Sequence, residues 1–522
     1  MFLGFIGVLM KLITTILIFL VTISLWATDN SKIVSEESIS LKNEVIRFSL
    51  LEGYFRTNAF YRNNFDLDSY YIENASHGDE TIYGTSRYNP SLEELKGNAS
   101  DISTVSYNLR FRLSPSIQVG EYLKAVTTFD IFENTLFGDD YKSQLFGKEG
   151  YLVAKSPFGL FKIGRMANNW GLGIFRNDGK GKFSNYGTYV DQFMFEKEMP
   201  ISIFKHFKAG LAYEVNNSSV SARELYNVNR NYDLDDRDDS TSYSIYLSDS
   251  MKGDLLDEYL DLGKTRFNWE FVYNYNSNDM TSLYNDNDTN DRKFSIEAIS
   301  STYHTFDLYA SIFVGNSFKL ESELLVKMGD YKTMDSKDET LFQTLFVVED
   351  EFSFLQKTVG AGLDFGLAYT DDSQKDSNDP YVNLFGEVDS KNRLFANDYD
   401  IDLIFFKEIA RATNLYFIKP HVKWRINREL SVDLWSVTTF AFDSEETFGK
   451  DPYLGTELDL KVQFLNRDGL NFGVMAGFYL PGKGMDYLGK DKERSDEGAT
   501  SDNLDKTANY ATSIQAFMIL KF

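Results

Sequence analysis

Two stretches of the chain alternate strictly between apolar and charged residues. In YLGTELDLKVQF (Tyr453–Phe464), Leu454, Leu458, Leu460, Val462 and Phe464 share one face, and Glu457, Asp459, Lys461 and Gln463 share the other. SFKLESELLVKM (Ser317–Met328) sets Phe318, Leu320, Leu324, Val326 and Met328 against Lys319, Glu321, Glu323 and Lys327. A period of two with one apolar and one charged face predicts a strand lying between two different media. In a soluble sandwich the apolar face would point inward. At about ten to twelve residues, each segment also has the length of a tilted transmembrane strand, with its apolar face toward lipid and its charged face toward a wet lumen.

Sixteen further segments read as strands: 45–60, 104–113, 122–133, 150–155, 159–165, 189–196, 201–213, 242–247, 265–275, 305–314, 355–369, 400–406, 415–425, 429–442, 469–480 and 510–522. Short turns are expected at 114–116, 156–158, 315–316, 427–428 and 466–468, and long polar loops at 72–103, 216–241, 277–292, 371–379 and 481–506. Alternating short turns and long loops are the plan of an outer-membrane barrel. The chain ends NYATSIQAFMILKF, which places Tyr510, Thr512, Ile514, Ala516, Met518, Leu520 and Phe522 on one face. That segment looks like the closing strand read by the barrel-assembly machinery. A closing strand also removes the open edge that lipid cannot tolerate. The expected fold is all-β, a transmembrane antiparallel β-barrel of about 18 strands, with 16 to 20 as the range.

Composition narrows the function. A net charge of −25 from 53 Lys and Arg against 78 Asp and Glu argues against nucleic acid as a partner. The 44 Phe and 32 Tyr suit strands and membrane interfaces. With no cysteine there are no disulfides, thiolate metal sites or cysteine nucleophiles. Lys11 followed by the apolar run Leu12–Ala27 and then TDNSK reads as a Sec-type signal peptide, with Met1 or Met10 as the start. The expected organisation is a signal peptide over 1–27, a short periplasmic segment over 28–44 and the barrel over 45–522, located in the outer membrane of a Gram-negative bacterium.

Several blocks then become informative in order: GYFRTNAFYRNNFDLD (Gly53–Asp68), YNLRFRLSPSIQVGEYLKAVTTFDIFENTLFG (Tyr107–Gly138), FGLFKIGRMANNWGLGIFRNDG (Phe158–Gly179), DFGLAYTDD (Asp364–Asp372) and LFANDYDIDLIFFKEIARATNLYFIKP (Leu394–Pro420). They resemble a family of uncharacterised, porin-like outer-membrane barrels of Gram-negative bacteria. The resemblance implies a barrel and supplies no activity. Trimers are usual for porins of this kind, so a homotrimer is carried as a candidate assembly.

The connection Met166–Thr188 follows the fifth expected strand and is therefore the third outer loop. By position it resembles the loop that folds inward and forms the constriction of general porins. Gly171, Gly173 and Gly179 allow tight bends, and Asn177-Asp178-Gly179 is a turn sequence. Trp170 is expected to wedge the loop against the wall, while Arg165, Arg176 and Asp178 would supply charge at the eyelet. The plain reading is an outer hairpin loop with Trp170 in the aromatic girdle. Arg110, Arg112 and Asp130 are expected to face the lumen, with Lys319, Glu321, Glu323, Glu457, Asp459 and Lys461 from the strands above. Asp130 reads equally well as a solvated strand end.

No cofactor is expected. One loop, DNDTNDRKFSIE, places Asp286, Asp288, Asn290 and Glu297 at EF-hand spacing, but Asp291 replaces the central glycine and no helices flank it. A solvated acidic loop is the preferred reading over a surface Ca2+ or Mg2+ site. The favoured function is a porin-like channel for passive diffusion of small hydrophilic solutes, in contact with outer-membrane lipid and lipopolysaccharide and narrowed by the loop 166–188. The first alternative is a non-conducting barrel displaying acidic loops to a partner or surface. The second is an outer-membrane hydrolase, although the four histidines have no metal-ligand spacing and no serine sits in a nucleophile elbow. An enzyme is not the expected class.

Overall fold

A computed structural model describes residues 46–49, 52–64, 103–136, 146–217, 239–279, 298–333, 338–372, 395–488 and 505–522, apart from isolated positions and short runs within those spans. The signal peptide 1–27, the segment 28–44 and the candidate cation loop Asp286–Glu297 lie outside the described residues. So does most of each long outer loop.

The strands are β1 (Ile46–Ser49), β2 (Gly53–Asn63), β3 (Ser103–Leu113), β4 (Ser116–Val119), β5 (Leu123–Leu136), β6 (Phe146–Ser156), β7 (Gly159–Ala167), β8 (Tyr189–Glu198), β9 (Phe207–Asn217), β10 (Asp239–Asp249) and β11 (Thr265–Asp279). They continue with β12 (Ala298–Val314), β13 (Phe318–Thr333), β14 (Asp338–Phe354), β15 (Val359–Asp372), β16 (Leu415–Arg425), β17 (Leu430–Ala441), β18 (Tyr453–Leu465), β19 (Leu470–Pro481), a two-residue ladder of β20 (Tyr487–Leu488) with β21 (Asp505–Lys506), and β22 (Ala511–Lys521). A short helix, α1 (Asp254–Asp261), lies in the connection between β10 and β11.

Each barrel strand pairs antiparallel with its sequence neighbours, and β22 pairs with both β19 and β2, which closes the sheet. Because β1 pairs with β4 while β2 pairs with β3, β1 and β2 together make one strand interrupted once, and β3 and β4 make another. The wall therefore has eighteen staves. This is a transmembrane antiparallel β-barrel. The turn expected at 114–116 is instead an interruption at Ser114-Pro115 within one strand. Proline has no N–H to give a ladder, so Ser114 N donates across the gap to Glu52 O at 2.7 Å and the chain reverses only at Gly120–Tyr122.

The alternation along β18 resolves into two environments. Leu458 and Leu460 are 51% and 40% exposed on the outside, while Glu457 and Asp459 are 1% and 0% exposed within. On β22, Ile514, Met518 and Leu520 face out, as does Phe522 just after it, and Ser513, Gln515 and Phe517 face in. Tyr510, just before that strand, is also exposed. An outer surface of exposed Leu, Val, Ile and Phe around a polar interior is the inverse of a soluble protein and the requirement of a lipid-facing barrel. Even the shortest of the eighteen staves, the nine-residue β7, meets the minimum tilted span.

Two strand assignments differ from the sequence reading, and they cancel in the count. The segment 338–354 was not expected as a strand but forms β14. Its outward Phe342 and Phe346 face lipid, and its inward Leu341, Leu345 and Val347 are also apolar and buried, so the period of two disappears. Conversely, 400–406 alternates in sequence but is no strand. It is irregular and runs into a single π-helical turn at Phe405–Ile409. Ile401, Asp402, Leu403, Ile404 and Phe405 are all buried, so the alternation there does not separate two media. A smaller correction concerns Leu454, expected outside. A bulge at Gly455 shifts the register, and Leu454 is fully buried.

The two faces should respond oppositely to charge. Leu458→Arg is expected to destabilise the barrel by about 2–4 kcal/mol at mid-membrane depth, and Gln463→Arg on the lumen face to leave stability nearly unchanged. Urea unfolding in lipid vesicles measures both, and equal costs would mean that the outer surface does not meet lipid.

Candidate functional site

The lumen is occupied by two segments that arise from outer loops. The first, here L3, is the connection 168–188 between β7 and β8, the third outer loop. It begins at Glu149 of β6, whose Oε1 accepts Ala167 N at 3.0 Å and whose Oε2 accepts Thr128 Oγ1 at 2.7 Å. Next comes a charge pair: Arg176 Nη1 donates to both oxygens of Glu214 on β9, at 3.0 and 2.8 Å. Glu214 is fully buried and also accepts Ser242 Oγ and Asn168 Nδ2. The Arg176 guanidinium lies 4.3 Å over the Trp170 ring. Such a pair is secured by geometry and added hydrogen bonds, because two buried charges recover their lost hydration only when well paired.

Trp170 and Ile174 are buried together with Val272 of β11, Leu325 of β13, Leu345 and Val347 of β14 and Ala368 of β15. Trp170 is thus deep in the lumen and not in an aromatic girdle. Leu172 N donates to Glu323 of β13 through a short hydrogen bond. Gly171 passes so close to Glu323 and Tyr309 that a Cβ there would lie 2.5 Å from Glu323 Oε2, and its φ of 47° is one that L-residues rarely adopt. The loop then crosses to the opposite wall. Arg112 Nη1 donates to Gly179 O at 3.1 Å, and Arg56 and Arg110 each donate to Ser184 O at 2.8 Å. Phe183 packs edge-on against Phe517 of β22, with Lys461 Nζ 4.3 Å over its ring. Asn177 and Asp178 close the turn internally by accepting Gly179 N and Lys180 N. Gly173, like Gly171 and Gly179, sits at positive φ.

Most residues singled out from sequence therefore meet in the lumen. Arg110 and Arg112 face inward, and Arg112 clasps the buried Asp130 through Nε at 2.7 Å and Nη2 at 2.8 Å. Lys319 pairs with Glu321, and Tyr309 donates to Glu321 at 2.6 Å. Arg165 is the exception. It lies two residues beyond the outward Ile163 and forms a bidentate pair with Asp191 of β8 on the outside of the wall, both about half exposed. The strand's period, not nearness to the loop, decides its face. Glu149, Glu214 and Arg56 were missed. For Arg56 the signal was present, since Arg56, Asn58, Phe60 and Arg62 share one face of GYFRTNAFYRN.

The second segment, L7, comprises the described residues 395–396 and 399–409 of the connection between β15 and β16. Glu457 of β18 accepts Leu403 N at 3.0 Å and Phe405 N at 2.9 Å. Leu403, Ile404 and Phe405 are buried with Leu454, Met475 and Tyr479 of the wall. Tyr399 donates to Glu349 of β14 at 2.7 Å. The two segments meet where Ala396 N donates to Ile174 O at 2.6 Å. Among the described residues, no group of three or more His, Asp or Glu side chains is placed to hold a metal.

No protein-family model matches the chain, and no curated protein matches it by sequence. Solved structures of similar fold are those of outer-membrane proteins. The outer membrane protein OprD from Pseudomonas aeruginosa is 7% identical with a TM-score of 0.44, over 92% of this chain and 95% of that one. The outer membrane channel DcaP of Acinetobacter baumannii is 10% identical at 0.40, over 92% and 99%. The anion-selective porin from Comamonas acidovorans is 11% identical at 0.40, over 92% and 100%. Likenesses this distant say nothing about what this barrel carries.

Removing one partner of the buried pair should release the loop. Arg176→Ala strands the Glu214 carboxylate in the lumen and is expected to cost about 3–5 kcal/mol, while Arg176→Met with Glu214→Gln recovers most of it. Denaturant midpoints of the three proteins measure this. If the double variant is as unstable as the single one, the pair is not what holds L3.

Proposed function

We propose that the protein is a porin-like channel of the Gram-negative outer membrane, passing small hydrophilic solutes by passive diffusion through an aperture set by L3. The observation that carries this reading is the path of L3, hydrogen-bonded to Glu214 and Glu323 on one side of the lumen and to Arg56, Arg110 and Arg112 on the other. Eighteen staves enclose more interior than wall side chains alone fill. Charged groups around a narrowed section select solutes by width and field. Lipid and lipopolysaccharide would surround the apolar belt. The assembly machinery would read the closing strand, and a homotrimer is the proposed assembly.

A specific observation favours a second reading, a non-conducting barrel that presents its acidic outer loops to a partner or surface. L7 fills lumen space beside L3 with Leu403, Ile404, Phe405 and Phe406, and the two segments are bonded to each other.

Single-channel recording of the refolded protein in planar bilayers, beside a variant lacking Gly171–Gly179, separates the two. The channel reading expects stable steps that grow larger in the deletion. Steps of equal size would remove L3 from the aperture. Silence from both folded proteins would favour the non-conducting barrel.

A further inference from the structure

L7 carries an aspartate into the lumen. Asp402 is 2% exposed, and its carboxyl oxygens accept Phe406 N at 2.9 and 3.1 Å, which starts the π-helical turn. The wall offers it Glu457, whose two oxygens are already committed to Leu403 N and Phe405 N. Next to Glu457 is Asp459, fully buried, with the Glu457 carboxyl as its hydrogen-bonding neighbour. Among the described residues one cation is close: Lys419 of β16, which donates to Asp400 O at 2.9 Å and lies 3.9 Å from Asp364. Among the described residues, the other titratable groups of this cluster are Asp400 on L7 itself, which acts on Asp459, and Tyr479 on β19, which faces Asp402 and Glu457. Three carboxyl groups thus meet where Glu457 of the wall holds the Leu403 and Phe405 N–H groups of L7.

Burial, and then the charge of Glu457, push the Asp402 carboxyl well above the ordinary carboxylate range. The seated conformation is therefore the one in which Asp402 binds a proton more tightly. A group whose affinity for protons is raised in one state favours that state at low pH, and the advantage is lost as pH rises through the raised value.

We propose that L7 is a pH-responsive gate, seated in the lumen while Asp402 carries a proton and released from Glu457 when that proton is lost. The proton passes to solvent and leaves two carboxylates opposed across the contact between L7 and the wall. Their repulsion is relieved by water entering as the Leu403 and Phe405 N–H bonds to Glu457 break. L3 has no such dependence at its main anchor, because Glu214 is answered by the guanidinium of Arg176.

This gate rests on the channel reading for its effect on conductance, but L7 seating can be followed without it. The chain contains no cysteine, so Ile404→Cys introduces one thiol at a fully buried position of L7. Maleimide labelling is followed from about pH 5 to about pH 9 and divided by the rate for Phe158→Cys, an exposed turn position, which removes the thiol's own ionisation. The expected result is a rise of up to about tenfold per pH unit through the transition, absent when Asp402→Asn is added, since asparagine can still cap Phe406 without titrating. Step conductance should rise over the same range and be flat in Asp402→Asn. Heat-modifiable electrophoretic migration verifies that each variant is folded, and Leu403→Cys serves if Ile404→Cys is not. A flat labelling profile, or a rise that persists in Asp402→Asn, overturns the gate. Labelling that rises in a barrel giving no steps at any pH supports the gate and overturns the channel.

Discussion

Charge placed inside a barrel has to be answered inside it, and most of this lumen is organised by that requirement. Arg112 is answered by Asp130, Arg176 by Glu214, Lys319 by Glu321 and Lys419 by Asp364. Loop backbone adds to these pairs: Arg56 and Arg110 converge on Ser184 O, and Glu323 and Glu457 accept N–H groups of L3 and L7. The wall's polar face and the loops' conformations are thus one arrangement. Removing a buried partner costs more than its pairing contributes, because the group left behind is desolvated without compensation.

The same requirement explains which parts of the molecule can be read from sequence. The outward face meets one medium throughout, so β18 and β22 show their apolar rows plainly. The inward face meets water, loop backbone or loop side chains, and its composition follows whichever lies opposite. β14 was hidden because Leu345 and Val347 face Trp170 and Ile174 instead of water. DIDLIFF looked like a strand because Asp402 answers backbone N–H groups between apolar neighbours, a local capping role that imitates alternation. Periodicity reports the medium on each side of a residue, and it misleads where the medium is more of the same chain.

The inward turn of L3 was partly legible. Its glycines and Asn-Asp-Gly turn are properties of the local sequence, and they sit where the chain bends. The destination of its charges was not, because Glu214 and Arg176 are separated by 38 residues and meet only after β8 has crossed the wall and returned through β9. Arg165 shows the converse error, in which a residue adjacent in sequence is sent outside by the strand it belongs to.

The far end of L3 lies across the seam where the barrel closes. Its Ser184 carbonyl is held by Arg56 on β2, and its Phe183 ring rests on Phe517 of β22, the partner strand from the other end of the chain. That seam joins residues as distant as Asn64 and Tyr510, the costliest kind of contact to form in folding time. The two contacts are made together only when both strands are side by side. Loop entry therefore adds its free energy to the closing step and not to the earlier hairpins, and acts as an internal strap across the line along which the wall would first part.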